Sequence, residues 1–266
     1  MEGIIQLEHY YHRSKERVKD LGEVFTPEYY VEEMLKLLST ENDFSWSNEE
    51  IVFFEPCCGN GNIVIAIFLK RAGAFYTNSI LHNKREYAAY YAVANTIHSL
   101  WAIDIDPENI AECRTRLFKA SIKFLLDKLQ LTDFKILIGR DRDYLAHLLC
   151  AIQWHIHENE MLSAVTHQSK LSRSNAQKTK LSAEWVALNK HHPIDFDLTW
   201  IDFFEKKLNK NIIPLVFKQA IKFLESQNGQ GSDKFDFART IFTSDQIVRS
   251  ENQYVANKGE ATCRQI

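Results

Sequence analysis

The chain has 266 residues, of which 45% are hydrophobic, 12% aromatic and 25% charged, the balance of an ordinary globular protein. That composition excludes disorder throughout, a collagen-like repeat and a disulfide-built scaffold, and the length suits one domain with additions or two small domains. With a formal net charge of -3, contact with nucleic acid has to come from a local basic patch rather than a global field. The five cysteines are odd in number, Cys57 and Cys58 are adjacent, and no CxxC pair occurs, which argues against a secreted disulfide framework and a zinc ribbon. Residues 1–19 lack the apolar core of a signal peptide, and the longest apolar stretch, Ile63 to Leu69, falls short of the ~20 residues a bilayer span needs. A cytoplasmic protein with no membrane role is expected.

In chain order, Ser14 to Leu21 predicts a polar helix ending at Gly22. Thr26 and Pro27 then open a second helix, with Thr26 as cap and Val31, Met34, Leu35 and Leu38 at helical spacing. Asn42 to Glu50 is a polar connection, and Ile51 to Phe54 predicts a short buried strand that stops at a glycine turn. Ile63 to Arg71 continues as helix. Tyr87 to Leu100 predicts another helix, Leu100 to Ile103 a second strand ending in Asp104-Ile105-Asp106-Pro107, and Pro107 a helix running towards Leu129. Phe134 to Ile138 predicts a third strand, followed by Gly139, Arg140, Asp141, Arg142 and Asp143. Strand and helix therefore alternate across residues 51–145, the pattern of a parallel sheet with helical crossovers.

Beyond Tyr144 the alternation fades: Tyr144 to Val165 suggests one or two helices, Thr166 to Thr179 an exposed loop, Ile212 to Leu224 a helix, and Ser226 to Lys234 a linker before a tail.

The strongest chemical signal is Phe53-Phe54-Glu55-Pro56-Cys57-Cys58-Gly59-Asn60-Gly61-Asn62, lying between a strand and a helix. Glycines there let backbone approach a ligand, and a helix N-terminus presents free N–H groups and partial positive charge. An acidic residue opening the loop is a poor partner for a pyrophosphate but accepts from an amino group, so the loop suits a zwitterionic ligand better than a dinucleotide.

Glu-Pro-x-x-Gly-x-Gly after an apolar strand resembles motif I of S-adenosylmethionine-dependent DNA methyltransferases, and Gly22-Glu23-Val24-Phe25-Thr26-Pro27 resembles their motif X. Asp104-Ile105-Asp106-Pro107 resembles motif II. The order matches the gamma class of N6-adenine enzymes, including type I modification subunits, and the resemblance covers about residues 14–145. It implies an α/β fold: a Rossmann-like methyltransferase domain with a mostly parallel sheet over residues 14–205, after a short segment 1–13. A helical N-terminal arm precedes the sheet, and a helical C-terminal extension and tail follow over residues 206–266.

It implies S-adenosyl-L-methionine as cofactor, with Phe25, Thr26 and Pro27 near the methionine moiety and Glu55, Gly59 and Gly61 around the amino-acid portion and sulfonium. Asp104 would accept from the ribose hydroxyls, by the same logic as in dinucleotide sites, and Ile105 would meet the adenine face. Asp106 is the helix N-cap before Pro107. An acidic residue after the third strand would accept from the adenine amino group; Asp141 and Asp143 are interchangeable candidates. The partners implied are DNA and a specificity or restriction subunit.

The family holds an extruded base with Asn/Asp-Pro-Pro-Tyr/Phe, and no Pro-Pro occurs among the five prolines here, Pro27, Pro56, Pro107, Pro193 and Pro214. The nearest imitation is His191-His192-Pro193-Ile194, and Asp195 to Leu198 has the look of the strand that leads into that motif. No residue is assigned as catalytic. Three functions follow: a DNA adenine-N6 methyltransferase-like protein of restriction-modification type; a catalytically silent relative acting as an accessory or DNA-binding subunit, of which a truncated fragment is a version; or a methyltransferase for another substrate such as RNA or a small molecule. His155 and His157, followed by Glu158 and Glu160, suggest surface residues of a helix rather than a metal site. Lys170, Arg173, Lys178, Lys180 and Lys190 form a sparse basic run in a loop.

Overall fold

The computed structural model describes residues 26–40, 44–159, 161 and 212–227. Its order is α1 (Glu28–Leu38), β1 (Phe53–Glu55), α2 (Asn62–Ser79), α3 (Arg85–His98), β2 (Leu100–Asp104), α4 (Pro107–Leu129), α5 (Phe134–His155), β3 (Ile156–Glu158) and α6 (Ile212–Gln227). The three strands form one parallel sheet in the order β1-β2-β3. Helices dominate, and the sheet is small, so the α/β expectation holds at that coarse level. Phe25, the helix expected over Ser14 to Leu21, the basic run Lys170 to Lys190, His191 to Leu198 and the tail after Gln227 lie outside the described residues.

Each strand pair is joined through two helices, α2 and α3 between β1 and β2, α4 and α5 between β2 and β3. Parallel strands require such crossovers because the chain must return to the same end of the sheet. The central strand β2 is the most apolar: Leu100, Trp101, Ala102 and Ile103 are all buried. The register sets Phe54 against Trp101, Glu55 against Ala102, and Asp104 against Glu158.

Local causes account for most boundaries. Asp106 accepts the Glu108 N–H at 2.9 Å and Pro107 follows at the first helical position, so α4 starts where its sequence predicts. The start of α1 differs: Pro27 is the N-cap residue and no side chain caps the helix, so Thr26 does not take the capping role expected of it.

The larger difference is the third strand. Phe134 to Ile138 opens α5 instead, because Asp133 caps it by accepting the Lys135 N–H at 2.8 Å. Phe134, Leu137 and Ile138 are buried at helical spacing, while Ile136 between them is exposed. Strand β3 comes after α5, from residues that look polar in the sequence. His155 and His157 are not on a helix surface; both are buried, with the His155 ring 4.3 Å and the His157 ring 6.4 Å from the ring of Trp101. The alternation thus continues past Tyr144, one helix later than its sequence suggests.

Burial of His155, with His98 6.3 Å away, pushes its pKa down from 6.5 to about 3. The folded protein therefore resists a proton that the unfolded imidazole takes readily. Its contribution is complete above pH 6.5 and is lost as pH falls towards 3, by about 1.4 kcal/mol per pH unit. Urea unfolding at pH 7 and pH 5.5 is expected to show this loss in the wild type and a shallower one in His155→Phe; equal slopes would show that His155 titrates normally.

Two arginines, Arg71 and Arg114, are buried among the described residues. Arg71 on α2 lies between the rings of Phe53 and Phe75, at 5.1 and 4.8 Å, and donates to the Asn48 carbonyl at 3.0 Å. Trp46 stacks on Phe53 at 5.5 Å, so the segment entering β1 is pinned by aromatic faces. At the other end of the chain, α6 buries Ala220 and Leu224 in the same core, with Phe217 4.6 Å from His147 and Glu225 2.8 Å from Arg142 of α5. No helix among the described residues is long and apolar enough to cross a membrane.

Candidate functional site

The turn after β1 folds back over the end of β2. Gly59 and Gly61 have φ of 52° and 95°, in the left-handed region that glycine tolerates. Gly61 also has no room for a side chain, since a Cβ there would lie 2.6 Å from Cys113 Sγ on α4. The Cys58 N–H donates to the Ile103 carbonyl at 2.9 Å and the Gly61 N–H to the Cys58 carbonyl at 2.8 Å. Gly61 is the N-cap of α2, which no side chain caps. The loop is therefore shaped by backbone bonding and by close helix packing.

Asp104 organises this end of the sheet. Its Oδ2 accepts the Gly59 N–H at 2.8 Å and its Oδ1 accepts the Asp106 N–H at 2.9 Å. Its carbonyl accepts the Asn159 N–H at 3.0 Å, which ties the end of β3 to β2. A carboxylate has about four acceptor positions, so two backbone donors leave capacity for hydroxyl donors of a ligand. Glu55, at the end of β1, accepts the Cys57 N–H at 3.3 Å, and burial raises its carboxyl pKa against that bond. Ile105 is 60% exposed, an apolar side chain beside a carboxylate at a strand end.

The segment before α1 reaches the same place. Asn62 Nδ2 donates to the Thr26 carbonyl at 3.4 Å, joining residues 36 positions apart. From α4, Arg116 donates to the Asn60 carbonyl at 2.8 Å and to Asn62 Oδ1 at 2.9 Å, while Asn60 Nδ2 donates to Glu112 at 3.4 Å. Thr26, Glu55, Gly59, Gly61, Asp104 and Ile105 thus belong to one region at the carboxyl ends of the strands, with Pro27 next to Thr26 in the chain.

Asp141 does not join them. It sits at a kink inside α5 with φ -130° and ψ 35°, and its carboxylate accepts from the Tyr90 hydroxyl and from Arg140 Nε at 2.7 Å. Arg140 reaches Glu86 at 3.1 Å, so the group ties α5 to α3. Burial, with Asp141 beside it, pushes the Tyr90 hydroxyl up to about 12. Asp143 is exposed on the same helix and pairs loosely with Arg142 at 3.9 Å. The strand expected before both candidates is helix, so neither follows a third strand.

The residues that do follow the third strand are Glu158, exposed and in register with Asp104, and Asn159, buried behind it. A signal for them exists in the sequence. Trp101-Ala102-Ile103-Asp104 and His155-Ile156-His157-Glu158 are both four-residue runs closed by a carboxylate, although the second carries histidines at alternate positions.

The Cys58 thiol of the loop is not poised as a nucleophile. Cys58 and Cys113 are buried, and the Cys113 thiol and desolvation together push the Cys58 pKa well up. Among the described residues no cluster of three or more His, Cys, Asp or Glu side chains is arranged to hold a metal ion. Compared with known proteins, the chain matches no family model, no curated protein and no solved structure.

Proposed function

We propose that this protein binds S-adenosyl-L-methionine at the carboxyl ends of its three parallel strands and is a DNA adenine-N6 methyltransferase-like protein of the restriction-modification type. The observation that carries the reading is convergence. Three segments that resemble methyltransferase motifs are far apart in the chain, yet the Gly59 N–H meets Asp104 at 2.8 Å and Asn62 meets the Thr26 carbonyl at 3.4 Å. Ligands of parallel α/β sheets bind beyond the strand carboxyl ends.

The residues present suit the ligand's chemistry. Acceptors Asp104 and Glu55 match a ribose diol and an ammonium group, exposed Ile105 matches an adenine face, and the uncapped start of α2 matches a carboxylate. In place of Asp141, the reading assigns Glu158 or Asn159 to the adenine amino group. When bound, the cofactor supplies a sulfonium methyl to a nucleophilic nitrogen. What the chain contributes is positioning: loop backbone at the amino-acid end and carboxylates at the ribose.

A catalytically silent form of the same protein is the second reading, favoured by one fact: no Pro-Pro dipeptide exists anywhere in the chain to hold an extruded adenine. DNA and a specificity or restriction subunit are the partners the reading entails. Calorimetric titration with S-adenosyl-L-methionine tests cofactor binding; micromolar affinity, about -8 kcal/mol, is expected, and no heat at millimolar ligand would sink the reading. Transfer of labelled methyl to mixed-sequence duplex DNA then separates the enzyme from the silent form.

A further inference from the structure

We infer that Arg116 is a positioning residue that couples the glycine loop to the Thr26 segment through the amide of Asn62, without itself being part of the ligand surface. The inference about the loop stands on geometry; its consequence for S-adenosyl-L-methionine rests on the proposed function.

The guanidinium is a donor only. One arm takes the Asn60 carbonyl at 2.8 Å and the other takes Asn62 Oδ1 at 2.9 Å, so a single side chain from α4 holds the loop on both sides of Gly61. Because Arg116 can only donate, it dictates which way the Asn62 amide faces. The oxygen must point to Arg116, and the Nδ2 donor must then point away, where it meets the Thr26 carbonyl at 3.4 Å. Thr26 is two residues before α1, and Asn62 is the first residue of α2. The relay Arg116 to Asn62 to Thr26 thus sets the separation of the two segments assigned to the methionine end of the ligand.

Glu112, one turn before Arg116 on α4, receives the Asn60 side chain at 3.4 Å. Asn60 is buried, so the loop backbone at 60 is held from both its carbonyl and its side chain. The bonds of Arg116, Asn60 and Asn62 run within the loop, to Glu112 and to Thr26, and they meet the adenosine half through the neighbouring Gly59 N–H, which Asp104 accepts at 2.8 Å. The relay therefore acts first on the methionine end of the site.

Three variants test it. Arg116→Met keeps the aliphatic stem and removes the donors; Asn62→Asp keeps an acceptor for Arg116 but removes the donor to Thr26; Arg116→Lys restores one donor. In the ligand-free protein, hydrogen exchange at the amides of residues 58–62 and 28–31 is expected to rise about tenfold or more in Arg116→Met, from loss of charge-assisted bonds. In Asn62→Asp the rise is expected at residues 28–31 alone, and Arg116→Lys should recover part of the protection. Arg116→Met exchange that rises only at 58–62, or equally across the whole fold, overturns the coupling.

With ligand, Arg116→Met is expected to weaken S-adenosyl-L-methionine by about tenfold or more while adenosine, held from β2 and β3, changes less than about twofold. Equal losses for both ligands mean a structural role and overturn the inference. If the variants show the protection changes as stated but the wild-type protein binds neither ligand, the relay stands and the cofactor reading falls.

Discussion

Gly61→Ala is expected to lower folding stability by about 3 kcal/mol, from overpacking together with a left-handed backbone that a Cβ disfavours. The steric part is explicit: the new Cβ would lie 2.6 Å from Cys113 Sγ and 3.2 Å from Cys113 Cβ. Cys113 is fully buried on α4, so its sulfur has little freedom to retreat. The backbone part is independent of Cys113, since φ at Gly61 is 95° whatever faces it. Urea unfolding of Gly61→Ala beside Gly61→Ala/Cys113→Ala separates them. Removing the sulfur should return some but not all of the loss, because Cys113 Cβ remains close and the dihedral is unchanged. A midpoint equal to wild type for the single variant would show that the loop moves aside, and would remove tight packing as the reason for glycine here. Ligand affinity is expected to fall as well, because the loop backbone is what the ligand's amino-acid end would meet.

Asp104→Ala is expected to cost about 2–3 kcal/mol of stability and to abolish binding of S-adenosyl-L-methionine. Two backbone N–H groups, of Gly59 and Asp106, lose a charged acceptor at once. A bond to a charged group contributes about 1.5–3 kcal/mol, and the side chain's partial exposure lets water recover part of it. Asp104→Asn makes the test sharper. The amide keeps one oxygen, so one N–H is still satisfied, but its NH2 group faces the other donor, and the loss should be roughly half that of alanine. Calorimetry decides the functional part, since an amide cannot match a carboxylate that accepts from backbone and ribose together. If both variants are as stable as wild type, Asp104 does not hold the loop; if both bind the ligand normally, the ribose assignment is wrong.

The candidate site was legible where its causes are local. The glycines, the Asp106-Pro107 helix start and the apolar run of β2 each declare themselves within a few residues. Spacing marked Val31, Met34, Leu35 and Leu38 together on α1, and of these Val31 and Leu35 are buried while Met34 and Leu38 are exposed. The third strand was not legible, and Asp141 and Asp143 lost with it the strand-end position expected of them. Phe134 to Ile138 has the β-branched, apolar look of a strand, yet Asp133 at its head and the burial of Phe134, Leu137 and Ile138 on one side make it helix. Propensity is a weak prior that packing overrides.

By itself the sequence determined the order of strand, glycine turn and helix, the carboxylate at the end of β2, and the absence of a Pro-Pro dipeptide. Those features depend on dihedral preferences and hydrogen bonds reaching no further than the next turn. Tertiary structure alone decided that histidines at 155 and 157 are interior, because both rings pack near the Trp101 ring of the adjacent strand. It also decided that Asp141 serves Tyr90 across 51 residues of chain, and that Arg116 orients the Asn62 amide across 54. Such pairings depend on where helices α3, α4 and α5 lie against the sheet, and no short-range spacing encodes a contact between groups that only folding brings within 3 Å.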